Sequence, residues 1–77
     1  MKVKVLFFGI LSEIVGKPYL IYENVNNITD LQEKIFSEYP NIRNIKLLIS
    51  VNKSLVKSNI TLNENDEIAL LPPFAGG

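Results

Sequence analysis

Polar and apolar residues alternate along Lys2-Val3-Lys4-Val5-Leu6-Phe7-Phe8, which is the period of a β-strand. Val3, Val5 and Phe7 share one face. Lys2, Lys4, Leu6 and Phe8 share the other, which begins polar and turns apolar. Gly9 breaks the run. Ile10 to Val15 fits one short helical turn with Ile10, Leu11 and Ile14 facing inward, and Gly16 is placed to end it in left-handed geometry. Lys17-Pro18 leads into a second strand over Tyr19–Glu23, whose simplest pairing is a hairpin-like return beside the first. Asn24 to Asn27 reads as a loop.

The period then becomes helical. Ile28, Leu31, Ile35 and Tyr39, with Phe36 at the edge, form a single apolar stripe. Thr29 and Gln32 have capping-box spacing, so Thr29 is expected to cap this helix, and Asp30 and Glu33 suit the positive end of its dipole. Pro40 stops it by pushing Tyr39 out of the α region. Asn41 to Ile45 reads as a connector. Lys46–Val51 reads as a third strand with Leu47, Ile49 and Val51 inward. Asn52-Lys53 makes a turn, and Ser54–Lys57 forms a short strand with Leu55 and Val56 on opposite faces. Ser58 to Asn65 is loop, with one tight turn around Leu62, and Asn63-Glu64-Asn65-Asp66 is strong turn chemistry. Glu67–Leu71 is the last strand, with Ile68 and Leu70 pointing one way and Ala69 and Leu71 the other.

This order predicts an α+β fold, a mixed sheet with one main helix packed across one face. The helix covers that face alone. Leu6, Phe8, Leu55 and Leu71 fall on the uncovered side, next to Phe74, and come from separate strands. Such a patch is too apolar for a lone soluble domain and is expected to be a partner interface.

Composition narrows the chemistry. The 77 residues fit one domain, 47% hydrophobic and 21% charged, as in a globular protein. Eight basic and eight acidic residues cancel, with no basic block, so neither nucleic acid nor an anionic membrane is an expected partner. The longest apolar run, Val5–Leu11, is far short of a membrane span, and residues 1–15 lack a signal-peptide layout. Cytoplasm is the expected compartment. There is no cysteine and no histidine, which removes thiolate nucleophiles, the commonest neutral-pH base and the commonest transition-metal ligands. Asp66 and Glu67 are adjacent carboxylates without companions, and neighbours on a strand point to opposite faces, so they read as a solvated turn rather than a metal pair. Lys17, Lys53 and Lys57 read as surface charges, and Tyr19, Tyr22 and Tyr39 as edge packing. No acid pair, catalytic triad or phosphate loop is present.

What chemistry remains sits at the end, Pro72-Pro73-Phe74-Ala75-Gly76-Gly77. Two prolines favour a stiff, extended stem. Gly76 and Gly77 present bare backbone that can enter a channel too narrow for a Cβ. A terminal carboxylate at Gly77 is a poor acyl donor until it is activated, and on such a stem it suits an acyl group passed between enzymes. The division expected is a folded body over residues 1–71 and an extended tail over 72–77.

Three stretches together resemble the small, sulfur-carrier subunit of molybdopterin synthase, in the β-grasp (ubiquitin-like) superfamily. They are Val5–Gly9 with Ser12–Gly16, Leu48–Val56, and Asn65–Gly77 with its Pro-Pro-x-x-Gly-Gly end. The chain departs from the family's pattern at Ser12, where arginine is frequent, and at Asn65, where glycine is frequent; Asn65 must then take a positive φ, which asparagine tolerates. The resemblance implies that an adenylating (E1-like) enzyme with ATP activates the Gly77 carboxylate and that a sulfurtransferase route supplies sulfur in place of AMP, giving a thiocarboxylate. It implies further that Pro73, Phe74, Ala75 and Gly76 insert into the large subunit of the synthase, within a heterotetramer, where sulfur passes to cyclic pyranopterin monophosphate. Phe74 would fix the depth of insertion, unless it packs on this domain's own edge. Catalytic residues for the transfer would belong to the large subunit, and the chain itself would bind no cofactor and no metal. Asp66 and Glu67 could also meet basic groups on the adenylating enzyme. The same end chemistry also fits a carrier for thiamine synthesis or tRNA thiolation, a protein modifier that forms isopeptide bonds, or a β-grasp binding module with an inert tail.

Overall fold

A computed structural model describes residues 1–72. Five strands form one mixed sheet: β1 (Val3–Phe7), β2 (Tyr19–Tyr22), β3 (Leu48–Val51), β4 (Ser54–Val56) and β5 (Glu67–Leu71), in the spatial order β2-β1-β5-β3-β4. The central β1–β5 pair is parallel, and every other pair is antiparallel. Helix α1 (Ile10–Val15) follows β1 and ends on Gly16 at φ 83°, the left-handed stop expected there. Helix α2 (Ile28–Glu38) carries the chain from the β2 edge toward β3 on the far side of the central pair.

Strand alternation and the helical stripe meet in one core. Val3, Val5, Phe7, Ile68 and Leu70 from the sheet are buried with Ile28, Leu31 and Ile35 from α2. In α1 Leu11 is fully buried and Ile14, also expected inward, packs partly buried against the core, while Ile10, expected inward, is exposed. Pro40 does stop α2, but the segment after it is more than a connector. Pro40–Asn44 forms a 3₁₀ turn that buries Ile42 completely, with proline at its first position, where the missing N–H costs nothing. Val25 and Leu62, both in segments read as loop, are fully buried as well. Tyr22 is core rather than edge: its ring is 6% exposed and its hydroxyl donates to Glu38 Oε1 at 2.7 Å, tying β2 to the end of α2. Burial first, and then the Glu38 carboxylate, hold that phenol's proton well beyond the usual tyrosine range.

The cap of α2 lies two residues earlier than its sequence suggests. Asn27 is extended, and its Oδ1 accepts from the Asp30 N–H at 2.8 Å. Thr29 is already inside the helix, and its N–H donates to Asn59 Oδ1 at 2.9 Å. Asn27 brings the better capping side chain, and Ile28 can reach the core only if the helix begins with it. Asn27→Ala should therefore cost about 1 kcal/mol in chemical denaturation, and Thr29→Ala much less; equal losses would return the cap to Thr29. Leu31→Ala, at 1% exposure, should cost about 2–5 kcal/mol. That is a large share of the roughly 4–12 kcal/mol available to a domain of this length, and a midpoint left unmoved would contradict the packing.

Candidate functional site

Among the described residues nothing covers the sheet face opposite α2, and its register lines up side chains in rows. One row crosses all five strands as Tyr19, Leu6, Ala69, Ser50 and Leu55. The row on one side of it holds Ile21, Lys4 and Glu67. On the other side Leu71 stands opposite Leu48, and Phe8 follows at the end of β1, its N–H donating to the Leu70 carbonyl at 3.3 Å. The face is thus charged at one end and apolar at the other. Phe8 is 44% exposed and Leu55 61%, while Leu6 and Leu71 are half-buried. All four residues expected on this face from the sequence lie on it. Tyr19, Ile21 and Leu48 are also exposed there, and sequence reasoning missed them. The signal was the pairing itself: Tyr19 sits opposite Leu6, and Leu48 opposite Leu71. Tyr19 also carries the Lys4 ammonium over its ring at 4.5 Å.

The parallel β1–β5 pair decides where the C-terminal stem starts. Both strands run toward the apolar end, so Phe8-Gly9 and Leu71-Pro72 emerge side by side. Gly9 has φ 58° and ψ −135°, a region open essentially to glycine alone. A Cβ built on it would lie 3.2 Å from Pro72 Cγ. Gly9 thereby lets the strand turn into α1 while the proline stem passes against it. Pro73, Phe74, Ala75, Gly76 and Gly77 lie outside the described residues, as do the insertion and modification sites expected on them.

The charged end is fixed by a polar clamp. Asp66, expected as a solvated turn, is 8% exposed. Its Oδ1 accepts from Asn52 Nδ2 at 2.9 Å and its Oδ2 from the Asn63 N–H at 2.8 Å. Asn52 completes the link, since its Oδ1 accepts from the Glu67 N–H at 3.0 Å and its own N–H donates to the Glu67 carbonyl at 2.7 Å. Asn65 takes φ 66°, as its place in the turn required, and its N–H donates to the Lys2 carbonyl at 2.7 Å. With both its oxygens engaged in this clamp, Asp66 has a structural role. Among the described residues no group of three or more His, Cys, Asp or Glu is placed to hold a metal, and no helix is long and apolar enough to cross a membrane.

Comparison with known proteins agrees with this layout. The ThiS family model matches residues 5–77. The chain is 31% identical to the molybdopterin synthase sulfur carrier subunit of Dictyostelium discoideum, over 96% of its own length and 94% of that protein. It is 30% identical to the subunit of the same name from Mycobacterium tuberculosis, over 100% and 99%. Among solved structures, a chain from the complex of subunits 1 and 2 of molybdopterin-converting factor of Helicobacter pylori aligns with a TM-score of 0.74 at 29% identity, covering 100% of each chain. Small archaeal modifier protein 1 of Methanosarcina acetivorans aligns with a TM-score of 0.85, covering 99% of this chain and 96% of that one; at 24% identity it speaks to the fold alone. The five-stranded mixed sheet under one main helix is the β-grasp arrangement.

Gly9→Ala should lower stability by about 1–2 kcal/mol through the positive φ and should shift the NMR signals of Pro72 as its ring gives way. An alanine variant as stable as the parent, with Pro72 undisturbed, would show that the stem is not seated on Gly9.

Proposed function

The chain belongs to the ThiS family, and from that premise we propose that it is the sulfur-carrier subunit of a molybdopterin synthase. The observation that carries this reading is the meeting of stem and patch: β5 delivers Pro72 beside Gly9 at the apolar end of a sheet face that no element among the described residues covers.

The chemistry follows from what the chain has and lacks. It contains no cysteine to hold sulfur as a persulfide and no histidine to act as a base. Sulfur would therefore ride on the chain's acyl end. A partner enzyme attacks ATP with the Gly77 carboxylate, forming the acyl–AMP anhydride and releasing pyrophosphate. The terminal sulfur of a persulfide on the delivering enzyme then displaces AMP at the carbonyl carbon, and a thiol attacks the delivering sulfur of the resulting acyl disulfide, forming a new disulfide there and releasing the thiocarboxylate. Gly76 and Gly77 leave that carbon open to attack from either side. The open face, through Leu6, Phe8, Leu55 and Leu71, seats the large subunit while Pro73, Phe74, Ala75 and Gly76 reach its active site, where sulfur passes to cyclic pyranopterin monophosphate. The large subunit supplies the charged catalysts. The ATP consumed in the first step puts the reaction in the cytoplasm. The Helicobacter pylori complex, which pairs subunits 1 and 2 of molybdopterin-converting factor, supports the choice of partner.

Intact-mass spectrometry after incubation with an adenylating enzyme, ATP and a sulfur source tests the loading step. The expected result is a gain equal to exchange of one oxygen for sulfur at Gly77, abolished when Gly77 is deleted. Conjugates on the lysines of other proteins would indicate a modifier, and an unchanged mass an inert module. Phe8→Asp should leave the fold intact, because that ring is already exposed, and should weaken binding to the large subunit by about tenfold or more. Undiminished affinity would move the interface elsewhere.

A further inference from the structure

The net charge of zero conceals a segregation. Between Glu38 and Glu64 the chain carries Arg43, Lys46, Lys53 and Lys57 and no acidic residue at all. That stretch contains β3 and β4, and β4 is the outermost strand on its side of the sheet. Its edge is open in a particular way. Asn52 and Lys53 both have positive φ, 49° and 74°, and link Val51 to Ser54 in a two-residue hairpin of the type whose twist matches its strands. In such a hairpin the residues flanking the turn exchange both backbone bonds, and the next pair exchanges none. Ser50 and Leu55 are that next pair, so the Leu55 N–H and C=O point away from β3 toward solvent.

Beside this edge lies a groove of about 370 Å³. After β4 the chain swings away to the start of α2, where the Ile28 N–H donates to the Ile60 carbonyl at 3.1 Å and the Thr29 N–H to Asn59 Oδ1 at 2.9 Å. The gap left between β4 and the first turns of α2 is lined by Ile28, Gln32, Leu47, Ile49, Val56 and Lys57. On α2, Asp30 is turned to the preceding loop, its Oδ2 accepting from the Asn26 N–H at 3.2 Å. Lys57 follows Val56, which pairs with Ile49, and so lies beside Leu48, two residues from Lys46.

We propose that the β4 edge and this groove dock an extended segment of a partner protein in which aliphatic and acidic side chains alternate. Laid along β4, such a segment completes the backbone bonds of Leu55 and extends the sheet by one strand. Strand alternation then sends one set of its side chains toward the aliphatic groove residues Ile28, Leu47, Ile49 and Val56, and the other to the opposite face beside Lys46 and Lys57, the latter also bordering the groove. Aliphatic residues fit the first set. Carboxylates fit the second, because the cations there have no acidic neighbour in sequence for many residues on either side. A basic or uniformly apolar strand would satisfy only one of the two. This surface shares Leu48 and Leu55 with the open face, and Lys57 lies on that same side beside Leu48; its occupancy does not require sulfur loading.

The test is an NMR titration of the isotope-labelled full chain with a capped synthetic peptide alternating valine and glutamate, and with a control in which lysine replaces glutamate. The expected result is shifted amides at Ser54–Lys57 and Ile28–Gln32 for the glutamate peptide, weakened by salt, with the lysine peptide silent. Lys57→Glu, at an exposed position, should weaken binding by at least about tenfold. Leu55→Pro removes the outward N–H from a position where an edge strand tolerates proline, and should do the same. No binding at millimolar peptide, equal binding of both peptides, or shifts centred on the other edge at Tyr19–Tyr22 would overturn the proposal.

Discussion

The fold turns on two strands from opposite ends of the chain lying parallel at the centre of the sheet. Parallel neighbours cannot be joined by a tight turn, so everything between β1 and β5 has to be spent on a long return path. That path is the rest of the domain: out to the β2 edge, across one face as α2, and back through the β3–β4 hairpin. Because both central strands run the same way, they also end at the same place. The apolar end of the sheet, the glycine that opens α1 and the proline that opens the stem therefore arrive together. Pro72 needs a neighbour without a side chain, and Gly9 supplies one in a conformation that no other residue holds cheaply.

The opposite end of the same pair is held by polar chemistry. A parallel pair with a one-residue slip would turn Ile68 and Leu70 out of the core and Ala69 and Leu71 into it. Asp66 and Asn52 oppose that slip. Asn52 sits at the tip of the β3–β4 hairpin, yet both its backbone and its side chain bond to the start of β5. The Lys4 N–H donates to the Asp66 carbonyl at 3.0 Å, which adds β1 to the same clamp. Three strands are thus pinned at one end by short polar groups, and the stem is free to be defined at the other.

Much of this was legible in the sequence, because strand and helix periods read directly as faces. The alternation from Lys2 to Phe8 and the stripe of Ile28, Leu31 and Ile35 gave both the core and the uncovered face. What escaped were features that depend on partners distant in sequence. Thr29 and Gln32 make a locally sound capping box, but Asn27 wins because the first helical residue must bury Ile28. Asp66 looked solvated because its ligands, Asn52 and Asn63, are chosen by the hairpin and the turn and not by neighbours on its own strand. Tyr19 and Leu48 joined the open face only once the register set them opposite Leu6 and Leu71. Ile42 was hidden because its burial comes from a short 3₁₀ turn that has no period to read.

On the proposed reading the chain draws its specificity from surfaces, and it has little area to divide. The helix face is consumed by the core. The open face grades from Lys4 and Glu67 to Phe8, Leu48 and Leu71, so a partner that covers it is oriented by charge at one end and by apolar contact at the other. Stem and apolar end coincide, so under the proposed role a partner's grip and the delivery of the tail would share one vector. A carrier has to release each partner as readily as it meets it. An apolar patch of a few residues with a polar margin suits that need better than a broad hydrophobic face, since its affinity rests on a small number of well-placed anchors. The balance of eight positive and eight negative charges belongs to the same logic: with no net charge to attract partners indiscriminately, recognition falls to where those charges lie.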